Sequence, residues 1–170
     1  MSLDRLWADW RASYVADPAT GTETHGCVMC NLVAAEDDAA ALVLERTVHT
    51  ITVMNLYPYG SGHLMVAPVR HVASYVDLSD DELVGLARAQ VRALQAVHSA
   101  YAPDGCNTGA NIGRAAGAGV PNHLHVHVLP RWQGDTNFMT AIGEARVLPE
   151  SLRAGYQKLQ GVWPPVDGRV

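Results

Sequence analysis

A chain of 170 residues, 48% apolar and 17% charged, has the length and composition of one globular domain able to bury a sizeable core. Its net charge of −5 excludes a basic footprint for nucleic acid or an anionic membrane, so a phosphate ligand would need local histidines, backbone amides and glycines. No apolar run approaches the roughly 20 residues of a bilayer span, and the charged, amphipathic MSLDRLWADWRASYV has no signal-peptide core, so a cytoplasmic location is expected.

In chain order, the first predicted element is an amphipathic helix over 2–16, with Leu3, Leu6, Trp7, Trp10 and Tyr14 near helical spacing. DPATGTETHG breaks that pattern as a loop and leads into a turn containing CVMC. The composition of ALVLERTVHTITVMN (41–55) predicts a hairpin broken around Arg46 and Thr47. LYPYGSG reads as a turn and HLMVAPV (63–69) as the next strand. The clearest helix starts at SDDE: Ser79 can cap it and Glu82 can complete a capping box. Leu83, Leu86, Ala87, Val91, Leu94, Val97 and Tyr101 form its expected buried stripe, and APDG ends it. CNTGANIG (106–113) is a predicted strand, RAAGAGVP a small-residue loop, HLHVHVLP a strand and PESLRAGYQKLQ (149–160) a short helix. The expected fold class is α+β, one domain with a mainly antiparallel sheet, one long helix and a short C-terminal helix. Its parts are an N-terminal extension (1–26), a core (27–138) and a C-terminal segment (139–170).

The stretch NHLHVHVLPRW concentrates three of the chain's eight histidines at alternate positions, His123, His125 and His127. On a strand these share one face, with neighbours roughly 6.6 Å apart, while Leu124, Val126 and Val128 point into the core. Such a row can ligate a metal, can present a neutral imidazole as a nucleophile with its neighbours handling protons, or can simply be packed and hydrogen-bonded. Gly113, Gly117 and Gly119 stand just before it. Glycines let a backbone approach an anion closely, which suggests a phosphate cradle; a flexible hairpin connection is the plainer alternative. Cys27 and Cys30 favour a metal clip or redox pair over a structural disulfide, with two ordinary buried thiols as the remaining alternative. Cys106 is expected in the core.

These motifs resemble the histidine triad superfamily of nucleotide hydrolases and transferases. HLHVHVLP matches its histidines at alternate positions followed by apolar residues, and GHLMVAPVRH resembles its earlier strand. The resemblance covers most of the chain, from about Leu3 to Phe138. It implies a HIT-like fold in which His125 attacks the α-phosphorus of a nucleotide and forms a covalent nucleotidyl-histidine. The backbone carbonyl of His123 would fix the tautomer of His125, His127 would contact the scissile phosphate and assist the leaving group, and His63 would support the triad. Asn55, eight residues before His63, stands where the family holds the ribose hydroxyls. Asn111 resembles its amide contact to phosphate. Gly117, Gly119 and Val120 would bring loop amides to the phosphoryl oxygens. Trp132 would wall the site or pack as an ordinary buried residue.

Some bacterial members hold a structural zinc with a C-x-x-C, the histidine closing P-x-x-H and the first triad histidine. The positions here are Cys27, Cys30, His71 and His123, a tetrahedral set suited to zinc. No organic cofactor is implied. LDRLWADWRASYV and PRWQGDTNFM resemble the actinobacterial branch of diadenosine tetraphosphate phosphorylase-like enzymes, which implies a dinucleoside polyphosphate substrate, inorganic phosphate as acceptor, and ADP and ATP as products. Ala118-Gly119 stands where some phosphorylases of that branch carry Gly-Ser, so hydrolysis remains open, as do nucleoside phosphoramidase activity and nucleotide binding without turnover. A catalytic zinc held by the histidine row is a further alternative. The resemblance also implies a homodimer or higher oligomer.

Overall fold

The computed structural model describes residues 26–135 and 149–166. The predicted helix over 2–16, and residues 136–139 at the end of the stretch PRWQGDTNFM, lie outside the described residues.

A seven-residue helix, α1 (Val28–Ala34), precedes a hairpin of β1 (Val43–Arg46) and β2 (Thr50–Met54), broken where the sequence predicts. β3 (Leu64–Pro68) follows the Pro/Gly turn. The long helix α2 spans Asp80–Tyr101, then come β4 (Gly105–Gly109), β5 (Val126–Arg131) and the short α3 (Leu152–Gln160). The five strands form one sheet in the order β1-β2-β3-β5-β4, with every neighbouring pair antiparallel. β5 thus sits between β3 and β4, inside the span that α2 crosses.

Alternation divides the sheet's two faces. Leu64, Val66, Leu124, Val126 and Val128 pack with Leu86, Ala89, Ala93, Ala96 and Val97 of α2 and with Tyr156 and Leu159 of α3. On the opposite face Ile51, Val53 and Ala67 pack with Met29 of α1. β5's odd-numbered side chains, His127 among them, stand on this second face.

Two expectations about local structure are corrected. On α2, Leu86 and Val97 are buried as predicted and Leu94 and Tyr101 pack partly, but Leu83, Ala87 and Val91 face outward. Ala89, Ala93 and Ala96 lie against the sheet instead, because their short side chains let the helix approach it closely and an apolar count favours the larger residues. The predicted strands are also shorter. β4 ends at Gly109, and the β5 ladder begins only at Val126, with Leu124 N donating to Val72 O at 2.6 Å. β3 ends at a proline, whose missing N–H cannot extend the ladder.

The start of α2 is built as expected. Glu82 N donates to Ser79 Oγ, and Ser79 N donates to the Glu82 carboxylate at 2.8 Å. Arg70 adds a bidentate pair to the same carboxylate, Nε at 2.8 Å and Nη2 at 2.7 Å. The Arg70 guanidinium, then the Ser79 backbone amide, hold the Glu82 carboxyl down to about 2. Arg46 does comparable service for α1, its guanidinium donating to the carbonyls of Leu32, Val33 and Ala35 at 2.8–3.0 Å. Arg92 forks onto Glu45, with Nη2 to Oε1 at 2.7 Å, and Trp163 Nε1 donates to Oε2 at 3.2 Å. This ties α2 and the end of the described chain to β1.

Two outcomes follow for stability. Glu45 is 5% exposed, so Glu45→Ala strands a largely buried guanidinium and should cost about 3–5 kcal/mol in chemical denaturation, whereas a paired Glu45→Leu, Arg92→Met change should cost far less. Because the Glu82 carboxyl lies below its usual 4.5, the unfolded chain binds the extra proton; its contribution is complete above about pH 4.5 and lost as pH falls toward 2. A stability–pH profile that keeps its slope in this window after Glu82→Gln would refute that assignment.

Candidate active site and metal centre

The histidines occupy the sheet face away from α2. His127 pairs in register with Met65 of β3 and with Gly109 of β4. His125 and His127 stand 5.1 Å apart between ring centroids, nearly edge to face. His123 lies two residues upstream, before the ladder begins, and its ring turns toward α1. The apolar alternates Leu124, Val126 and Val128 are buried as the alternation requires.

His125 is 4% exposed, and its Nδ1 lies 2.9 Å from the carbonyl oxygen of His123. A carbonyl only accepts, so the hydrogen sits on Nδ1 and Nε2 keeps its lone pair. In this tautomer the neutral ring presents Nε2 as a nucleophilic nitrogen.

His127 is engaged from behind. Its Nδ1 lies 2.9 Å from Nε2 of the fully buried His63. The other nitrogen of His63 receives the backbone N–H of Tyr59 at 3.0 Å and faces Asn55 Nδ2 at 3.4 Å. Asn55 Oδ1 accepts from Tyr57 N at 3.0 Å, which orients the amide. The Tyr59 ring lies 4.6 Å from that of His63 and 5.7 Å from that of His127. Sequence reasoning missed Tyr59. It sits in a turn without periodicity, and only its position four residues before His63 links it to the histidines.

The thiols converge with His71 and His123. One ligand atom from each of Cys27, Cys30, His71 and His123 lies within 4.8 Å of the others. Cys27 Sγ is 3.3 Å from His123 Nδ1, Cys30 Sγ is 3.6 Å from the same atom, and Cys30 Sγ is 3.2 Å from His71 Nδ1. Tetrahedral metal–sulfur and metal–nitrogen bonds of about 2.3 and 2.0 Å would set such pairs about 3.5 Å apart. The tautomer fits too. His123 Nε2 lies 2.9 Å from the Pro68 carbonyl, which places the hydrogen there and turns the Nδ1 lone pair toward the thiols. Burial pushes the His123 imidazole below its usual range and raises the Cys30 thiol, with Cys27 adding to the latter. These four residues can hold a metal ion.

His71 is supported on both sides. Arg70 is clamped to Glu82, and the Val72 carbonyl accepts from Leu124 N, next to His123. Cys106 is partly buried beside the main core, with its Sγ 3.9 Å from His98 Nε2.

In the loop before the triad, Gly117 adopts φ +84, a left-handed conformation suited to glycine. Asn111 Nδ2 reaches the Gly117 carbonyl at 3.4 Å, bracing the loop. Gly119 and Val120 follow, with His123 N bonded to the Val120 carbonyl and the Val120 side chain packed against the smaller apolar cluster that includes Met29. Trp132 is placed differently. It follows the far end of β5, stacks edge-on against Tyr101 at 6.2 Å, and lies about 16 Å along the strand from His127.

Among known proteins, residues 36–134 match the family model of the HIT domain. An AP-4-A phosphorylase of Mycobacterium tuberculosis is 38% identical over 165 residues, covering 95% of this chain and 85% of the relative. A bis(5'-nucleosyl)-tetraphosphatase (asymmetrical) of Schizosaccharomyces pombe is 34% identical over 93 residues, 55% of this chain and 50% of that protein. Among solved structures, a Zn-bound histidine triad family protein of Mycobacterium smegmatis is similar with a TM-score of 0.66 and 26% identity, covering 81% of this chain and 93% of that one. The match spans the sheet, α2 and the three alternate histidines, and the chain belongs to the HIT domain family.

Proposed function

We infer that this chain is an enzyme that cleaves dinucleoside polyphosphates of the diadenosine tetraphosphate type, through a nucleotidyl group carried on His125. The observation that carries this reading is the bond between His125 Nδ1 and the His123 carbonyl, which leaves Nε2 as the reacting nitrogen. The 38% identity to an AP-4-A phosphorylase supports the substrate class. Nε2 attacks the α-phosphorus, and the phosphoanhydride on its far side departs with help from His127. An acceptor oxygen then takes the nucleotidyl group from His125, freeing the imidazole. With inorganic phosphate as acceptor the products are ADP and ATP. Gly117, Gly119, Val120 and Asn111 bring the glycine loop to the phosphoryl oxygens, Asn55 contacts the ribose, and Trp132 contributes at most indirectly.

Hydrolysis is the second reading. It is favoured by Ala118-Gly119, which offers no hydroxyl to place phosphate, and by the likeness to a tetraphosphatase. Zinc is the ion best suited to two thiolates and two imidazoles. When bound it would be structural, with Cys27, Cys30, His71 and His123 filling its coordination and leaving no open position for substrate. A homodimer belongs to the same reading, supported by the outward apolar Leu83, Val84 and Val91 of α2 and by the position of β4 at the sheet edge. No helix among the described residues is long and apolar enough to cross a membrane.

Product analysis with diadenosine tetraphosphate tests the reaction. ADP and ATP formed only with inorganic phosphate would support phosphorolysis, AMP and ATP regardless of phosphate would support hydrolysis, and preference for phosphoramidates would replace both. His125→Ala should lower turnover by roughly a thousandfold or more while leaving nucleotide affinity largely intact, and undiminished turnover would remove His125 as nucleophile. For the metal, one zinc per chain is expected by elemental analysis. Chelation or Cys30→Ala should lower Tm on the order of 10 °C. Activity that returns with metal while Tm never changes would point instead to a catalytic ion.

A further inference from the structure

Nδ1 of His63 receives a backbone N–H from Tyr59 at 3.0 Å, and the Asn55 amide nitrogen stands 3.4 Å away. Both are donors. The backbone N–H cannot act as anything else, and the Asn55 amide is oriented by the Tyr57 N–H on its oxygen. A hydrogen on His63 Nδ1 would point at both, inside a side chain with 0% exposure, so Nδ1 is a lone pair. A neutral His63 then carries its hydrogen on Nε2, the nitrogen 2.9 Å from His127 Nδ1. His127 Nδ1 must accept that hydrogen bond, which places the hydrogen of His127 on its own Nε2.

We propose that Tyr59 is a positioning residue which, through its backbone N–H and with Asn55, locks His63 and thereby holds His127 as a neutral imidazole with a fixed Nε2–H donor. The Tyr59 ring, packed on both imidazoles, holds their planes in the geometry of the His63–His127 hydrogen bond. Two neighbouring histidines are thus given opposite polarity by backbone groups. The His123 carbonyl makes Nε2 of His125 a lone pair, and the Tyr59 amide, one imidazole further back, makes Nε2 of His127 a donor.

This rests on the nucleotidyl-transfer reading and refines its leaving-group side. A bond forms between His125 Nε2 and phosphorus, and the bond from phosphorus to the bridging oxygen breaks. The departing phosphate keeps that electron pair and accepts a hydrogen bond from His127. His125 retains its Nδ1 hydrogen on the His123 carbonyl, so no proton has to move. Help of this kind suits a phosphoanhydride, whose leaving group departs as a stable anion.

The test replaces Tyr59 by its α-hydroxy acid analogue, which converts the Pro58–Tyr59 amide to an ester and removes only the N–H. Ring-nitrogen NMR of the histidine-labelled full chain should find His63 and His127 as Nε2–H tautomers in the wild type and in Tyr59→Phe. In the ester variant His63 should become a tautomer mixture, and single-turnover transfer from diadenosine tetraphosphate should slow about tenfold with AMP affinity unchanged. His63→Gln, whose amide can accept from Tyr59 and donate to His127, should retain more of the rate than His63→Leu. An Nδ1–H tautomer of His63 in the wild type overturns the proposal. So does an ester variant with unaltered tautomers, or one with altered tautomers and an unaltered rate. If the wild type does not cleave this substrate, the assigned reaction fails and the ring spectra alone decide the lock.

Discussion

The imidazole of His123 is the joint on which the candidate site turns. Its Nε2 is committed to the Pro68 carbonyl, its Nδ1 faces the two thiols, and its own carbonyl receives the Nδ1 hydrogen of His125. One residue therefore links the end of β3, the N-terminus of α1 and the ring that would react. Each contact is a local hydrogen-bonding necessity, since a buried imidazole must satisfy both nitrogens. A proline can finish β3 without wasting its carbonyl because a side chain takes the acceptor that the ladder leaves behind.

The sheet separates support from chemistry. One face is filled by α2 and α3, with alanines permitting a close approach, while the other carries α1 and the histidines. Strand alternation turns this division into an address for the side chains of β5: Val126 and Val128 anchor in the core, and odd positions such as His127 stand on the opposite face. Among the described residues, carboxylates enter the interior only where a partner waits. Glu45 is met by Arg92 and Trp163, and Glu82 by Arg70 and the cap of α2. These pairs fasten separate elements at named points and leave the apolar layers uninterrupted.

Much of this architecture was legible in the sequence because it follows short-range rules. The capping box at Ser79, the break at Arg46 and Thr47 and the alternation through Val126 and Val128 depend only on nearby residues. The convergence of Cys27, Cys30, His71 and His123 was legible through family resemblance, since no local rule joins positions so far apart. The side of α2 that meets the sheet was not legible. An apolar stripe through Leu83 and Val91 outweighs alanines in any pattern, yet the closeness of the sheet selects the alanines. The register at which β5 begins depends on where another strand meets its proline. Tyr59 escaped because its backbone amide acts, and every residue except proline has one. Trp132, for which the sequence left open a wall of the site or ordinary packing, stacks on Tyr101 beyond the far end of β5.

The thiol–imidazole cluster also bears on the order in which the chain assembles. Cys27 and His123 are 96 residues apart, and Cys30 and His71 are 41 apart. Between them lie the hairpin, β3 and the whole of α2. Contacts of such high separation reward the chain only after the loops they close have lost their freedom. The seven-residue α1 is too short to persist by itself in water, so it cannot wait as a preformed half of the cluster. An ion held there would meet a sheet already paired through β3 and β5. Its part in folding would then be that of a late latch, slowing the departure of α1 from an assembled domain more than starting one.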